Sequence, residues 1–199
     1  MDLPVRSLYL CRHGQDEDNA EGLLNGQRNR PLSALGREQA AAAADFIRTK
    51  YPHIDVILCS PLSRATDTAL AIAQGLPNGQ PVPVLLDLLK ERNFGVMSGK
   101  PIADIVSLAG GDDNVIKTDK VTYFLEVEGG ENFPTLLKRA EEVLDYLKRP
   151  IFSGQNVLLV CHGDIGKMIR AAFHQWTWQQ GLQTPYFANT EVLELKPFA

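Results

Sequence analysis

Two stretches of the sequence end in the same way: Leu8-Tyr9-Leu10-Cys11-Arg12-His13-Gly14 and Leu158-Leu159-Val160-Cys161-His162-Gly163-Asp164. In each, an apolar run of strand length leads directly to a histidine and a glycine. The chain has four histidines, so the placement of two of them at such positions favours a shared site. Because parallel strands bring their carboxyl ends to one edge of a sheet, we expect His13 and His162 to meet there.

Other apolar runs predict the remainder of the sheet. Buried strands are expected over residues 5–11, 55–59, 82–87 and 156–161, with a fifth strand over 190–196 at the edge. Helical spacing predicts helices over 35–50, from Ser63 onward, over 133–147 and after Gly163, with Ser33 as the first N-cap and Pro150 ending the third. This alternation predicts an α/β fold, a three-layer sandwich with a mostly parallel central sheet and helices on both faces.

The composition is that of an ordinary globular protein. The 199 residues are 44% hydrophobic and 22% charged, which allows one buried core and excludes disorder, collagen and coiled coil. A formal charge of -4 offers no general attraction to a polyanion, so nucleic acid is not an expected partner. No apolar run reaches the length of about 18 residues that a membrane span requires.

The cysteines and the N-terminal sequence indicate the cellular compartment. Three cysteines cannot form a complete disulfide framework, which favours a reducing compartment. Cys11, Cys59 and Cys161 each precede a candidate site residue on a strand, so we expect small buried hydrophobic residues there. Because no export signal is recognised, we expect a cytoplasmic protein without a membrane partner.

The stretch 99–130 breaks the periodic pattern. Gly110-Gly111 and Asp112-Asp113-Asn114 punctuate it, and its acidic residues outnumber its basic residues. We interpret this stretch as a partly helical lid inserted into a single domain that covers residues 1–199.

Two further charged residues follow predicted strands. Arg64 falls in the first turn of the helix that begins near Ser63, where its guanidinium either binds a phosphate or carboxylate or is simply solvated. A cation at a helix N-terminus opposes the helix dipole, so this position requires an anion nearby. Glu91 follows the 82–87 run and would bring a carboxylate to the same edge, although alone it would be interpreted as a surface residue.

Together these residues resemble the histidine phosphatase superfamily, in the branch that includes cofactor-dependent phosphoglycerate mutase and the bisphosphatases of fructose 2,6-bisphosphate. The resemblance covers nearly the whole chain, and its motifs occur in order on the expected elements. The matching motifs are Arg12-His13-Gly14 with Asn19, Asn25-Gly26-Gln27 with Pro31-Leu32-Ser33 and Gly36, Ser60-Pro61 with Arg64-Ala65 and Thr68-Ala69, Glu91 with Gly95 and Gly99, Gly130-Glu131, and His162-Gly163. A single Arg-His-Gly is weak evidence, whereas six motifs in order are strong.

The resemblance implies a role for each matching residue. His13 would attack phosphorus to form a phosphohistidine. Arg12, Arg64 and His162 would hold the transferring phosphoryl group. Glu91 would protonate the leaving group and later activate water. The implied substrate-binding residues are Asn19, Asn25, Gly26, Gln27 and Gly163.

No metal or organic cofactor is expected. Two histidines flanked by arginines would repel a divalent cation, and no aspartate cluster of the kind found in magnesium phosphatases accompanies them. The sequence also lacks a Walker loop, a Gly-x-Gly-x-x-Gly motif and the Gly-x-Ser-x-Gly elbow of serine hydrolases.

Hydrolysis and mutase chemistry share the phosphohistidine and differ in whether water or a second substrate hydroxyl accepts the phosphoryl group. The sequence favours hydrolysis of a small phosphorylated metabolite, of the sugar phosphate or phosphoglycerate type. The stretch 99–130 lacks the arginines of a mutase lid, and Asp164 stands where phosphoglycerate mutases tend to have asparagine. A phosphoglycerate mutase is the alternative, and a phosphate-binding module without turnover is disfavoured because both nucleophile and acid are present.

Substrate selectivity is expected from Asn25, Gln27, the 99–130 stretch and the segment around Asn189-Thr190. Arg28 and Arg30 either reach a second anionic group or are solvated. The sequence leaves the oligomeric state and the identity of the phosphoester open.

Overall fold

The computed structural model describes residues 3–51, 53–77 and 81–196. The strands are β1 (Ser7–Arg12), β2 (Val56–Cys59), β3 (Val84–Leu85), β4 (Val115–Lys117), β5 (Thr122–Phe124), β6 (Asn156–Cys161) and β7 (Val192–Leu195). The α-helices are α1 (Glu17–Glu21), α2 (Ala34–Lys50), α3 (Ser63–Gly75), α4 (Ile105–Leu108), α5 (Phe133–Tyr146), α6 (Gly163–His174) and α7 (Trp178–Leu182). Within these described ranges, no helix has the length and apolar character needed to cross a membrane.

The main sheet has five strands in the order β3-β2-β6-β1-β7. The strands β1, β2, β3 and β6 run parallel, and β7 pairs antiparallel with β1 at the edge. Strand β6 lies in the centre and is buried over its whole length, as its continuous apolar run predicts. The predicted α/β fold with a mostly parallel sheet is confirmed.

Successive residues of β1 face two different helical layers. Leu8 and Leu10 pack in a cluster with residues of α5 and α6, whereas Tyr9 and Cys11 pack with residues of α2 and α3. This alternation follows from the two-residue period of a strand, and it places helices on both faces of the sheet. The carboxyl ends of β1, β2 and β6 therefore lie side by side at one edge.

The predicted helix boundaries agree closely with the structure at most ends. The Ser33 side chain accepts a hydrogen bond from the Gly36 amide at 3.0 Å, which confirms Ser33 as the N-cap of α2. Helix α3 begins at Ser63 and α6 at Gly163, as expected. Helix α5 ends at Tyr146, so it stops before Pro150, which begins a separate 3-10 turn.

The prediction of a buried strand over 82–87 was wrong. Only Val84–Leu85 forms a strand, and these side chains are 51% and 58% exposed. The physical reason is position: β3 is an edge strand that pairs with β2 on one side only. An apolar run indicates a strand, but it does not show which strand ends the sheet. The predicted strand over 190–196 is confirmed as an edge strand, β7.

The stretch 99–130 folds into short elements beside the strand ends. It contains a 3-10 turn (Ile102–Asp104), α4, a second 3-10 turn (Asp112–Asn114) and the antiparallel pair β4 and β5. Ile105 and Phe124 pack against Leu24 and Phe94 in a separate apolar cluster, which attaches this stretch to the rest of the chain. Its action as a lid, and the single-domain boundaries, stay predictions.

The three cysteines are buried and free. Burial raises the pKa of the Cys11 thiol to about 12 and that of Cys59 to about 11. Thiols with such pKa values stay protonated near neutral pH and are poor nucleophiles. The prediction of small buried hydrophobic residues at these positions is confirmed.

Candidate active site

The parallel pairing of β1 with β6 brings the two predicted histidines together. Arg12 ends β1 and Cys161 ends β6, so His13 and His162 follow at the same level of the sheet. The amide of His13 donates to the carbonyl of Cys161 at 3.0 Å, and the two imidazole rings have centroids 4.9 Å apart. Both side chains are almost completely buried, at 1% and 0% exposure.

The hydrogen bonds of His13 determine which ring nitrogen carries the proton. Its Nδ1 lies 2.6 Å from the Gly14 carbonyl oxygen, which can only accept, so Nδ1 must be the donor. Nε2 is then unprotonated and accepts from Arg64 Nε at 3.2 Å. Burial, followed by the positive charges of Arg64 and Arg12, holds the pKa of His13 well below its ordinary value. His13 is therefore neutral near pH 7, with a nucleophilic lone pair on Nε2.

His162 is held as a neutral ring by two partners. Its Nδ1 accepts from Arg64 Nε at 3.2 Å, and its Nε2 lies 2.8 Å from the Ser60 hydroxyl oxygen. Nε2 therefore carries the proton and donates to Ser60. Burial, then Arg64, lowers the pKa of His162 well below its ordinary value. A single guanidinium N–H thus lies between the two imidazoles.

Arg64 is fully buried and its guanidinium is fixed on every side. Nε lies 3.1 Å from Asp16 Oδ2, Nη1 donates to the Arg28 carbonyl at 2.7 Å, and Nη2 donates to the Gly26 carbonyl at 2.7 Å. Asp16 supplies the anion that a cation in the first turn of α3 requires. The solvated alternative for Arg64 is excluded.

Gly26, whose carbonyl accepts from Arg64, has a backbone conformation that residues with a side chain rarely adopt. Its φ is +47°, and a Cβ at this position would lie 2.8 Å from the ring of Phe94. Glycine is needed here because both the left-handed conformation and the close approach of Phe94 exclude a side chain.

Arg12 presents an unsatisfied donor. Its Nη1 donates to the Phe187 carbonyl at 2.9 Å and to the Tyr186 hydroxyl, and its guanidinium lies 5.3 Å from the Tyr186 ring centre. Its Nε is buried and has no hydrogen-bond partner among the described residues. Such a group costs roughly 1–3 kcal/mol when unpaired, and an anionic oxygen would satisfy it.

Glu91 is buried, in contrast to the surface position that its sequence context alone would suggest. Its carboxylate accepts three backbone N–H bonds, from Arg92 at 2.8 Å, Ile165 at 3.1 Å and Asp164 at 3.2 Å. Burial, followed by the nearby Asp164 carboxylate, raises the pKa of Glu91 above its ordinary value despite these bonds. A raised pKa is what a general acid needs to hold its proton closer to neutral pH.

The predicted substrate-binding residues fall into two groups. Asn19, Asn25 and Gly163 line a cavity of about 560 Å³ that also includes Arg12 and Glu91. The other two, Gly26 and Gln27, are not in this lining. Gly26 positions Arg64, and the exposed Gln27 donates from Nε2 to the Glu91 carbonyl at 2.9 Å.

The C-terminal segment approaches the site, as expected for Asn189. Asn189 Nδ2 donates to the His13 carbonyl at 2.9 Å, and Asn189 also lines the cavity. Arg28 and Arg30 are not simply solvated, because each pairs with an acidic residue of this chain. Arg28 Nε lies 2.8 Å from Asp18, and Arg30 Nη2 lies 2.6 Å from Glu17.

Several polar residues of the site were not predicted as functional. Asp16 lies in an acidic run directly after the Arg-His-Gly motif, and this run was the available signal. Arg92 is 1% exposed and donates to Asp164 Oδ2 at 2.8 Å; its position next to Glu91 was the only hint. Tyr186 gave no signal, because its contact with Arg12 joins distant parts of the chain. No group of three or more metal-ligating side chains occurs in the described parts of the chain.

The fold and this site together define an enzyme of the histidine phosphatase type. The chain belongs to branch 1 of the histidine phosphatase superfamily, whose family model matches residues 8–198.

Known relatives include both mutases and phosphatases. The chain is 34% identical over 165 residues to a 2,3-bisphosphoglycerate-dependent phosphoglycerate mutase of Methylobacterium sp. (strain 4-46), covering 80% of this chain and 76% of the relative. It is 41% identical over 107 residues to a glucosyl-3-phosphoglycerate phosphatase of Mycolicibacterium vanbaalenii, covering 54% and 45%. The solved mycobacterial glucosyl-3-phosphoglycerate phosphatase with VO3 superposes with a TM-score of 0.80 at 26% identity, covering 96% of this chain and 91% of that one.

Proposed function

We propose that this protein hydrolyses phosphomonoesters of small metabolites through a phosphohistidine on His13. The observation that carries the proposal is the neutral His13 ring, whose unprotonated Nε2 accepts from Arg64 beside the unsatisfied Nε of Arg12. A nucleophile between two fixed cationic donors suits an electrophile that carries negative charge, such as a phosphoryl group.

In the first step, the lone pair of His13 Nε2 forms a bond to phosphorus and the bond from phosphorus to the leaving oxygen breaks. The proton of Glu91 passes to the leaving oxygen, which departs as a neutral alcohol. Arg12 and Arg64 stabilise the negative charge on the other phosphoryl oxygens. His162 acts through Arg64: its Nδ1 accepts from Arg64 Nε at 3.2 Å, while its one N–H is donated to Ser60.

In the second step, water attacks the phosphohistidine. Glu91, now ionised, takes the proton from this water while the bond between Nε2 and phosphorus breaks. Inorganic phosphate leaves and His13 returns to its neutral form. One carboxyl group thus serves as acid and then as base, and its proton count is restored after each cycle.

Hydrolysis is favoured over mutase chemistry by the cations that are available near the site. A mutase must hold a second anionic group of a bisphosphate. In the stretch 99–130, Lys117 pairs with Asp112 at 2.6 Å, and Lys100 and Lys120 are exposed, where water and salt screen their charges. Arg28 and Arg30 are already paired with acids. A phosphoglycerate mutase is the second candidate, because the relatives include enzymes of that name.

The experiment is turnover of p-nitrophenyl phosphate in the presence of EDTA. We expect wild-type turnover, its loss in His13→Ala, and normal turnover in the control His53→Ala, because His53 is exposed and precedes the amino end of β2, whereas the site lies at the carboxyl ends of the strands. Equal activity of His13→Ala and wild type would contradict the proposal, and so would loss of activity in EDTA.

A second assay separates hydrolase from mutase. The interconversion of 3- and 2-phosphoglycerate is measured with added 2,3-bisphosphoglycerate, alongside release of inorganic phosphate. Net release of phosphate supports the hydrolase, and efficient interconversion without release would establish the mutase.

A cytoplasmic location is part of the proposal. It is supported by the three free, buried thiols, which would be retained in a reducing compartment. The acidic net charge of -4 likewise supports a small-molecule substrate in preference to nucleic acid.

A further inference from the structure

The cavity beside the candidate catalytic residues extends well beyond the phosphoryl group. Its volume of about 560 Å³ is in the range of roughly 300–1,000 Å³ that pockets for whole small molecules have. A phosphoryl group next to Arg12 and Glu91 would fill only one end of it. The rest of the lining would therefore contact the leaving alcohol, and its charges would determine which alcohols bind.

Much of this lining is apolar. The apolar side chains are Leu23, Leu24, Phe94, Ile102, Ile105, Val121, Phe124 and Phe187. Four of them, Leu24, Phe94, Ile105 and Phe124, are buried and packed together, so this part of the cavity is preformed. An apolar lining disfavours a charged leaving group, because it cannot replace the water that such a group loses on binding.

Arg92 is the lining cation nearest in sequence to the general acid, and its charge is already neutralised. Its Nε donates to Asp164 Oδ2 at 2.8 Å. Its guanidinium also lies between aromatic rings, 4.0 Å from the ring centre of Phe124 and 4.3 Å from that of Phe133. A second anion at Arg92 would have to share it with Asp164.

Lys167 also lines the cavity, but its ammonium group is directed at the backbone. Nζ donates to the carbonyls of Leu182 at 2.9 Å and Thr184 at 2.7 Å, and lies 3.4 Å from the Thr184 hydroxyl. These partners use the three N–H groups of a lysine. Burial also lowers the pKa of Lys167 to about 8, which reduces its charge just above neutral pH.

The remaining lining cations are Lys120 and Arg12, among the residues that the structure describes. Lys120 is exposed on the turn between β4 and β5 and is preceded by Asp119, which lines the same cavity. Water and salt screen an exposed charge of this kind strongly. Arg12 would bind the phosphoryl group, so it is not available to a second anionic group.

Asp164 belongs to the same cavity lining as Glu91. It lines the cavity with 11% of its side chain exposed, and the Asp164 amide donates to Glu91. The atom that Glu91 protonates must lie close to Glu91, so substituents on the adjacent carbon atoms lie close to Asp164. Asp164 already pairs with Arg92 through Oδ2, so a substrate carboxylate there would have to compete with Asp164 for Arg92 and would be repelled by the Asp164 carboxylate in a partly desolvated site.

We propose that the substrate is the phosphomonoester of an uncharged alcohol, and that Asp164 is the residue that discriminates against leaving groups carrying a carboxylate. This inference rests on the proposed hydrolase function and narrows its substrate class. The substrate class proposed for this chain differs from the phosphoglycerate compounds in the names of two relatives.

The test uses two substrates that differ in one group. Glycerol 3-phosphate and 3-phosphoglycerate both release a primary alcohol, and they differ in a hydroxymethyl group against a carboxylate. We expect wild-type kcat/KM to be at least about 30-fold higher for glycerol 3-phosphate, equivalent to about 2 kcal/mol. Equal values, or a preference for 3-phosphoglycerate, would overturn the inference.

The variant Asp164→Asn identifies the residue responsible. We expect the ratio of the two kcat/KM values to fall at least about tenfold, because the repelling charge is lost and Arg92 is left without its anion. The ratio cancels changes in folding or in the acidity of Glu91, since both substrates need the same proton. Asp112→Asn is the control: this carboxylate also pairs with a cation, Lys117, but lies outside the cavity lining, and the ratio should not change. An unchanged ratio in Asp164→Asn would assign the discrimination elsewhere and overturn the role of Asp164.

Binding measurements extend the test to a protein without turnover. Calorimetric titration of His13→Ala with each ester should give weaker binding of 3-phosphoglycerate, and tighter binding of it would contradict the inference. The two proposals fail differently. If His13 is required for turnover but 3-phosphoglycerate is preferred, only the substrate class is wrong; if His13→Ala turns over normally, the proposed function is wrong.

Discussion

Asp16 and Arg64 form an ion pair in which both side chains are completely excluded from solvent, with Oδ2 3.1 Å from Nε. The same carboxylate accepts from Asn25 Nδ2 at 2.6 Å and, through Oδ1, caps α1 by accepting from the Asn19 amide at 2.7 Å. One buried carboxylate therefore connects Arg64, for which we propose phosphate binding, with Asn19 and Asn25, which line the cavity.

The Asp16→Asn variant should be less stable than the wild type and should have a lower kcat. Loss of one partner from a buried ion pair costs about 3–5 kcal/mol, so we expect a decrease of that size in the free energy of unfolding measured in urea. Misorientation of Arg64 should also lower kcat about 100-fold. The control is Asp67→Asn on the exposed side of α3, where the change should stay within about 0.5 kcal/mol. Stability equal to wild type would show that the pair contributes nothing net.

Glu91→Gln should affect substrates according to their leaving groups. For an alkyl phosphate, kcat/KM should fall by about 10²- to 10⁴-fold, because the alkoxide then leaves without a proton. For p-nitrophenyl phosphate the loss should be about tenfold or less, because nitrophenolate is a stable anion that needs little protonation. The measurement is kcat/KM for both esters, with Glu38→Gln on the exposed face of α2 as control. Equal losses for the two esters would exclude Glu91 as the general acid.

The buried histidines should make the protein less stable in mild acid. The folded pKa values of His13 and His162 lie well below 6.5, whereas histidines in the unfolded chain titrate near 6.5. Below about pH 6.5 the unfolded state therefore binds more protons, and the free energy of unfolding falls as the pH falls. Each histidine contributes up to about 1.4 kcal/mol per pH unit in this range.

His13→Gln isolates one of these contributions. Urea unfolding between pH 7.5 and about 5 should show a slope smaller than that of wild type by up to about 1.4 kcal/mol per pH unit. The raised pKa of Glu91 acts in the opposite direction at lower pH, but it is common to both proteins and cancels in the difference. The exposed His53→Gln should keep the wild-type slope. Parallel curves for His13→Gln and wild type would contradict the lowered pKa of His13.

Gly36→Ala should disrupt the loop that carries the nucleophile. A Cβ on Gly36 would lie 1.9 Å from the Gln15 carbonyl oxygen, and one on Gly14 would lie 2.4 Å from the Gly36 carbonyl oxygen. These neighbours are backbone atoms, so α2 would have to move away from the loop, at a cost of about 3 kcal/mol. Gly163→Ala is the matched stability control, because its Cβ would meet atoms no closer than 3.6 Å. Equal unfolding free energies for the two variants would show that the close approach is tolerated.

The extent to which the sequence predicted this structure differs between local and distant features. The bounds of β6 and the Ser33 cap were predicted correctly because continuous burial and capping are written in neighbouring residues. The exposure of β3 was not predicted, because edge position depends on which strands assemble around it. Apolar composition carries no information on that order.

The same distinction holds for the site. The motifs identified His13, Arg64 and Glu91, since each follows a recognisable strand or begins a helix. Their buried partners were missed or left open, because Asp16 contacts Arg64 although the two residues are 48 positions apart in the chain. Whether a charged side chain is solvated or buried depends on contacts of this kind, which sequence spacing does not reveal.

The pairing of β1 has a consequence for how the protein is made. The first strand of the chain has β6 and β7 as its neighbours, and both lie in the last quarter of the sequence. During synthesis β1 must therefore remain without either strand partner until residues 156–161 have left the ribosome. An apolar strand with unpaired edges is prone to aggregation, so we expect the nascent chain to depend on chaperones until β6 and β7 have been made.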